Sequence, residues 1–133
     1  MNTSNNVVKE FFDKLAPSWD KEQNANKKSI LSLLNRLEIK KGDDVLDLAC
    51  GTGTITKILF NITKKQITAI DISSKMIEIA KSKYNKDVAM FLPIDYYDYQ
   101  GKKFDWIIIY NSYPHFLDLG KFKEKLVDTL KDK

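Results

Sequence analysis

A chain of 133 residues is long enough for one domain with a real core, and 43% hydrophobic with 30% charged residues is the make-up of an ordinary globular domain. No apolar run approaches the ~20 residues of a membrane span, the opening Met1-Asn2-Thr3-Ser4-Asn5-Asn6 lacks a signal peptide's basic and apolar regions, and one cysteine cannot close an internal disulfide, so a cytoplasmic, reducing setting is expected. The net charge of +4 comes from lysines dispersed among acids; Arg36 is the only arginine, no basic stripe is interleaved with aromatics, and neither a nucleic-acid nor a membrane partner is expected.

Taken in order, Val7, Val8, Phe11, Phe12 and Leu15 have helical spacing, and Pro17 ends that helix. A second helix is predicted over 24–37 with Ile30, Leu31, Leu33, Leu34 and Leu37 inward, and Lys40-Lys41-Gly42-Asp43-Asp44 forms a turn. Val45, Leu46 and Leu48 read as a short buried strand. The chain then turns at Gly51 and Gly53, and Ile55, Ile58, Leu59 and Ile62 follow at helical spacing. Strand, glycine turn and helix bring backbone N–H groups against a ligand, with Gly where a Cβ would block approach or forbid a positive φ. Ile67 to Ile70 is a second strand ending in Asp71, and Ser73 is a plausible N-cap for the next helix with its Met76, Ile77, Ala80 and Tyr84 face. Val88 to Leu92 is a third strand leading into Pro93-Ile94-Asp95-Tyr96-Tyr97-Asp98-Tyr99. Phe104 to Tyr110 is the most continuous apolar run and is expected to be a strand buried on both faces. Leu119, Phe122, Leu126 and Leu130 mark a final amphipathic helix. Without a linker or an internal repeat, this is one α/β unit: a helical cap over 1–40 and a core over 41–133.

Two acids carry the chemistry. Asp47 lies inside the end of the first strand, where a phosphate-gripping loop would gain nothing from it but an ammonium or sulfonium would be attracted. Asp71 lies at the tip of the second strand, 18 residues past Gly53, where a carboxylate can accept both ribose hydroxyls. Together they imply a nucleoside with a positive far end. A dinucleotide-dependent oxidoreductase is the weaker alternative, since its third glycine would fall at position 56, which is Thr56.

The stretch Asp47-Leu48-Ala49-Cys50-Gly51-Thr52-Gly53 resembles the acid-x-Gly-x-Gly-x-Gly motif of the class I S-adenosylmethionine-dependent methyltransferases, within them the small-molecule type that includes the ubiquinone/menaquinone-biosynthesis enzymes; Ala49 stands where the first Gly is usual. Phe12-Asp13-Lys14-Leu15-Ala16-Pro17-Ser18-Trp19-Asp20 is similar to that family's N-terminal cap signature.

The resemblance implies S-adenosyl-L-methionine as cofactor and a small-molecule methyl acceptor. Asp47, Ala49, Cys50, Gly51, Thr52 and Gly53 would hold its methionine end, Asp71 the ribose, and Ile72 and Met76 the adenine, although core packing explains Met76 equally well. Asp95 would bind the adenine amino group, since a carboxylate offers only acceptors, and Tyr96 would stack on the ring. Asn111-Ser112-Tyr113-Pro114-His115-Phe116 looks like the fourth motif, with Tyr110 and Asn111 near the methionine part and Tyr113, His115 and Trp19 toward the acceptor. His115 is the sole histidine and is placed either as an acceptor-deprotonating base or as a packing residue. Cys50 reads as a small apolar turn residue, and no metal-ligand spacing is present.

The implied fold is a Rossmann-like α/β three-layer sandwich with a parallel sheet in order 3-2-1-4. The family's last three strands are missing, so the chain is expected to be a C-terminally truncated member. An open fourth strand is expected to pair with a second copy as a homodimer. A truncated, non-catalytic binding module is the alternative function.

Overall fold

In the computed structural model, residues 27–110 and 119–132 are described, with side chains from residue 31 onward. They form α1 (Lys27–Asn35), β1 (Val45–Leu48), α2 (Thr56–Thr63), β2 (Ile67–Ile70), α3 (Ser74–Lys83), β3 (Ala89–Leu92), a 3-10 turn (Tyr96–Asp98), β4 (Trp106–Ile109) and α4 (Leu119–Thr129). The sheet has the expected order β3-β2-β1-β4, with every pair parallel. Asp47 is in register with Ala69 on one side and Ile108 on the other.

Strand alternation divides the core in two. Val45, Ile67, Ala69, Ala89 and Phe91 pack with Leu34 of α1, Ile55 and Leu59 of α2, and Ile77 and Ala80 of α3. On the other face, Leu46, Leu48 and Ile70 pack with Tyr96, Tyr99, Phe104 and Phe122 of α4. Asp47 belongs by alternation to the first face. The chain changes face after β3, so the connections before and after β1 and β4 lie on opposite sides. The strand order reverses between β1 and β4, and it is outside the carboxyl ends of the strands at such a point that open α/β sheets bind ligands.

Three expectations need correction. Among the α1 side chains described, Leu34 turns inward while Leu31 and Leu33 are 45% and 56% exposed; Leu37 lies beyond the helix end and is exposed, and the side chain of Ile30 lies outside the described residues. At ~100° per residue, Leu31 and Leu33 stand about 60° and about 100° to either side of Leu34, on the flanks of a wide apolar stripe whose centre meets the sheet. The β4 residues are each only half-buried rather than buried on both faces. The reason is position: among the described residues β4 is an edge, paired with β1 alone. In the final helix Phe122 is buried, but Leu119 is exposed.

Candidate functional site

The turn after β1 folds by alternating left-handed backbone: Ala49, Gly51 and Gly53 have φ of 59°, 59° and 89°. Gly is the natural residue at such positions. At Ala49 the left-handed conformation costs roughly 1 kcal/mol relative to Gly, which gives a physical reason for glycine in the usual motif. At Gly53 the close approach is internal: a Cβ there would come within 3.2 Å of Tyr84 Cε2 and 3.6 Å of Phe91 Cζ. This glycine lets α2 and the turn settle on β3 and the end of α3.

The turn is clamped to the tip of β2. Gly51 N–H donates to Asp71 Oδ2 at 2.8 Å, Ser73 N–H donates to Asp71 Oδ1 at 2.8 Å, and Cys50 N–H donates to the Ile70 carbonyl at 3.0 Å. Ser73 caps α3 as expected, its Oγ accepting from Met76 N–H at 3.2 Å. Asp71 thereby organises both the turn after β1 and the start of α3. Helix α2 begins with Ile55 at its N-cap and no side-chain cap there, so its first-turn N–H groups and partial positive charge face the carboxyl end of β1.

Asp47 is 1% exposed and accepts from Thr56 Oγ1 at 2.6 Å. Burial pushes its carboxyl up to about 7; the Thr56 hydroxyl opposes this, and the negative charge of Asp71 adds to it. Asp47 and Asp71 are thus close enough for each charge to be felt by the other. Cys50 joins them: burial first, then Asp47 and Asp71, raise its thiol well above the ordinary value. A neutral, buried thiol is a packing group, as the sequence suggested, and not a nucleophile.

The remaining expected residues divide. Asp95 is half-buried at the start of the loop after β3, and its Oδ1 caps the 3-10 turn by accepting from Tyr97 N–H at 3.0 Å. Ile72 is half-buried beside Asp71, whereas Met76 is fully buried, in line with its core reading. Thr52 is buried and Tyr110 is half-buried against the first core. Tyr96 is corrected outright. It is 3% exposed in the second core, its hydroxyl hydrogen-bonded to Thr129 Oγ1 and the Lys125 carbonyl and its ring edge-on to Phe122. The one-turn 3-10 helix after Asp95 rotates it toward α4, so it cannot stack on a ligand ring. Trp19, Asn111, Tyr113 and His115 lie outside the described residues, as does the helix expected over Val7 to Leu15.

Thr56 was not singled out as a site residue from the sequence, where it counted only as an absent glycine. The available signal was its place one helical turn past Gly53, which aims a hydroxyl back at the strand end.

Comparisons agree with this architecture. Residues 45–133 match the family described as a methyltransferase domain. The chain is 34% identical over 129 residues to malonyl-[acyl-carrier protein] O-methyltransferase of Acetivibrio thermocellus, covering 94% of this chain and 46% of that protein. It is also 34% identical over 107 residues to demethylmenaquinone methyltransferase of Chlamydia caviae, covering 71% and 46% respectively. The chain thus spans about half the length of these curated relatives. Among solved structures, the DhpI-SAM-HEP complex aligns with a TM-score of 0.77 at 24% identity, covering 92% of this chain and 59% of that one. Magnesium protoporphyrin IX methyltransferase from Synechocystis PCC 6803 with bound SAM aligns at 0.75 and 17% identity, covering 98% and 74%. At such identities the likeness concerns the fold alone. From the matching domain, the sheet order and the acid-flanked glycine turn, the chain belongs to the class I S-adenosylmethionine-dependent methyltransferases.

Proposed function

We propose that this chain binds S-adenosylmethionine and supports transfer of its methyl group to a small-molecule acceptor. The observation that carries the reading is the Asp47–turn–Asp71 cluster. One buried carboxyl there has no lysine or arginine among the interactions described for it, and a second stands at the neighbouring strand tip. The donor set fits the cofactor: a cationic ligand end would compensate a buried carboxylate, which is costly unpaired, and Asp71 suits hydroxyls. A nicotinamide dinucleotide fits worse, because the position of its third glycine holds Thr56, whose hydroxyl is committed to Asp47.

Asp47 and the backbone around Gly51 and Gly53 would hold the methionine end, Asp71 the ribose, and Asp95 the adenine. When bound, the cofactor supplies a methyl group on a sulfonium whose leaving group departs neutral. The chain's contribution is therefore alignment of an acceptor and exclusion of bulk water, not protonation of a leaving group. The name of demethylmenaquinone methyltransferase supports a small organic acceptor, whereas that of malonyl-[acyl-carrier protein] O-methyltransferase gives a malonyl group carried on a protein.

Calorimetry should show binding of S-adenosylmethionine and none of NAD, and radiolabelled methyl should pass to a low-molecular-weight acceptor in an extract. Binding without transfer would reduce the chain to a binding module, and no binding would remove the reading. Among the described residues β4 has a strand neighbour on one side only, which supports association with a second copy; light scattering at high concentration should give a dimer mass, and a sharp monomer would contradict this.

A further inference from the structure

We propose that Thr56 is the positioning residue of the cation site: its hydroxyl, delivered from the first turn of α2, fixes the direction of the Asp47 carboxylate and sets the pH above which the crevice accepts a cationic ligand.

Thr56 Oγ1 and Asp47 Oδ2 are 2.6 Å apart, and both residues are essentially inaccessible to water. A hydrogen bond this short to a charged acceptor in a dry setting is strong. A β-branched side chain at a helix start has few rotamers, so the backbone of α2 dictates where the hydroxyl points. The other oxygen of the carboxylate is thereby oriented. Among the described residues, the neighbours of Asp47 supply no opposing charge: β2 places Ala69 beside it, β4 places Ile108, and from the helix that carries Thr56, Lys57 lies over the Phe60 ring. The tip of β2 contributes Asp71, which is repulsive, and the turn contributes the neutral Cys50 thiol. Of the groups identified as acting on Asp47, Thr56 alone favours its charged form.

Two consequences follow. Without a ligand, Asp47 at neutral pH is divided between its neutral and charged forms. A cation entering the crevice selects the charged form, so binding expels a proton to solvent. The hydroxyl of Thr56 lowers the pH at which this becomes easy. Removing it should raise that pH and weaken binding mainly on the acid side.

This rests on the proposed binding of S-adenosylmethionine, and the experiment separates the two. The affinity of the full chain for that compound is measured by calorimetry from pH 6 to 8, in buffers of differing ionisation enthalpy, for the wild type, Thr56→Val, Thr56→Ala and Thr56→Ser. Titration of the ligand itself is common to all four and drops out of the comparison. The wild type should release a fraction of a proton at pH 6.5 and less at pH 8. Thr56→Val should bind about 10-fold more weakly at pH 6.5, with its pH midpoint moved upward, and Thr56→Ser should restore the wild-type profile. Thr56→Ala stands in if the valine does not fold. A pH profile unchanged in the hydroxyl-free variants, or no proton release by the wild type, overturns the role of Thr56 while leaving the cofactor reading intact. A wild type that does not bind at any pH overturns the cofactor reading instead.

Discussion

Asp71→Ala is expected to weaken S-adenosylmethionine binding by about 100-fold or more while leaving a folded protein. The carboxylate does two jobs. It receives Gly51 N–H and Ser73 N–H at 2.8 Å each, and it is the carboxylate proposed to bind the ribose. Hydrogen bonds to a charged acceptor are worth about 1.5–3 kcal/mol each, and an orphaned buried N–H costs about 1–3 kcal/mol. The loop therefore loses its clamp at the same time as the ligand loses its partner, and the stability loss should be about 2–4 kcal/mol, within the ~5–15 kcal/mol of a typical domain. Asp71→Asn is the informative companion. Its amide oxygen can still accept one N–H, but its NH2 group meets the other donor, so loop stability should fall less than affinity. Calorimetry reads the affinity and a thermal melt reads the stability. Undiminished affinity in Asp71→Ala would dismiss the ribose assignment, whatever the melt shows.

The parts of this site legible in the sequence were those set by local backbone needs. Gly51 and Gly53 announce left-handed turns, Ser73 announces a helix start, and the short apolar runs 45–48, 67–70 and 106–109 announce strands because buried parallel strands need nothing else. Asp47 was legible as an oddity, an acid in a strand whose other residues are apolar. Illegible were the features decided by partners distant in sequence. Tyr96 looked like a ligand-facing aromatic because a loop sequence does not reveal which way a one-turn 3-10 helix will rotate it; Thr129 and Phe122, far down the chain, decide that. The leucines of α1 looked like one inward face because they lie within an arc of about 160°; how much of that arc the sheet covers is set by partners distant in sequence. Thr56 was hidden because its partner is the strand before the turn rather than a neighbour in its own helix.

The two ends of the sheet treat buried carboxylates in opposite ways. At the carboxyl end, Asp47 and Asp71 stand together, one held by a hydroxyl and the other by backbone N–H groups. At the amino end, Asp44 is 9% exposed and is met by Lys65 at 2.8 Å, Lys102 at 3.1 Å and Lys131 at 2.8 Å. The same acid is tied through its backbone to β4: its N–H donates to Asp105 Oδ2, and its carbonyl accepts from the N–H groups of Asp105 and Trp106. Among the described residues no ammonium group is found acting on Asp47, whereas three meet Asp44.

That contrast gives the expected behaviour of Asp44→Asn. Burial alone would raise the carboxyl of Asp44, but hydrogen bonds from Lys131, Lys65 and Lys102 override it and hold the group far below the usual carboxylate range. The substitution leaves three ammonium groups around a neutral amide. Breaking a fully buried pair costs about 3–5 kcal/mol. The lysine side chains here are 46%, 45% and 39% exposed, so they can turn back to water, and the loss should be nearer 1–3 kcal/mol. Its pH dependence has a definite sign. Because the folded-state value is depressed, Asp44 stabilises the fold fully above the unfolded value of about 3.9 and loses that contribution as the pH falls from there toward the depressed value. Chemical denaturation between pH 7 and pH 2 should thus show the wild type and Asp44→Asn well separated at neutral pH and converging in acid, with the gap also narrowing in 1 M salt. Since Lys131 follows α4 and Lys102 precedes β4, the variant should also speed amide exchange at the bridge between Phe104 and Leu130 more than in β2. Equal acid limbs for the two proteins would show that the lysines gather around Asp44 without stabilising the fold.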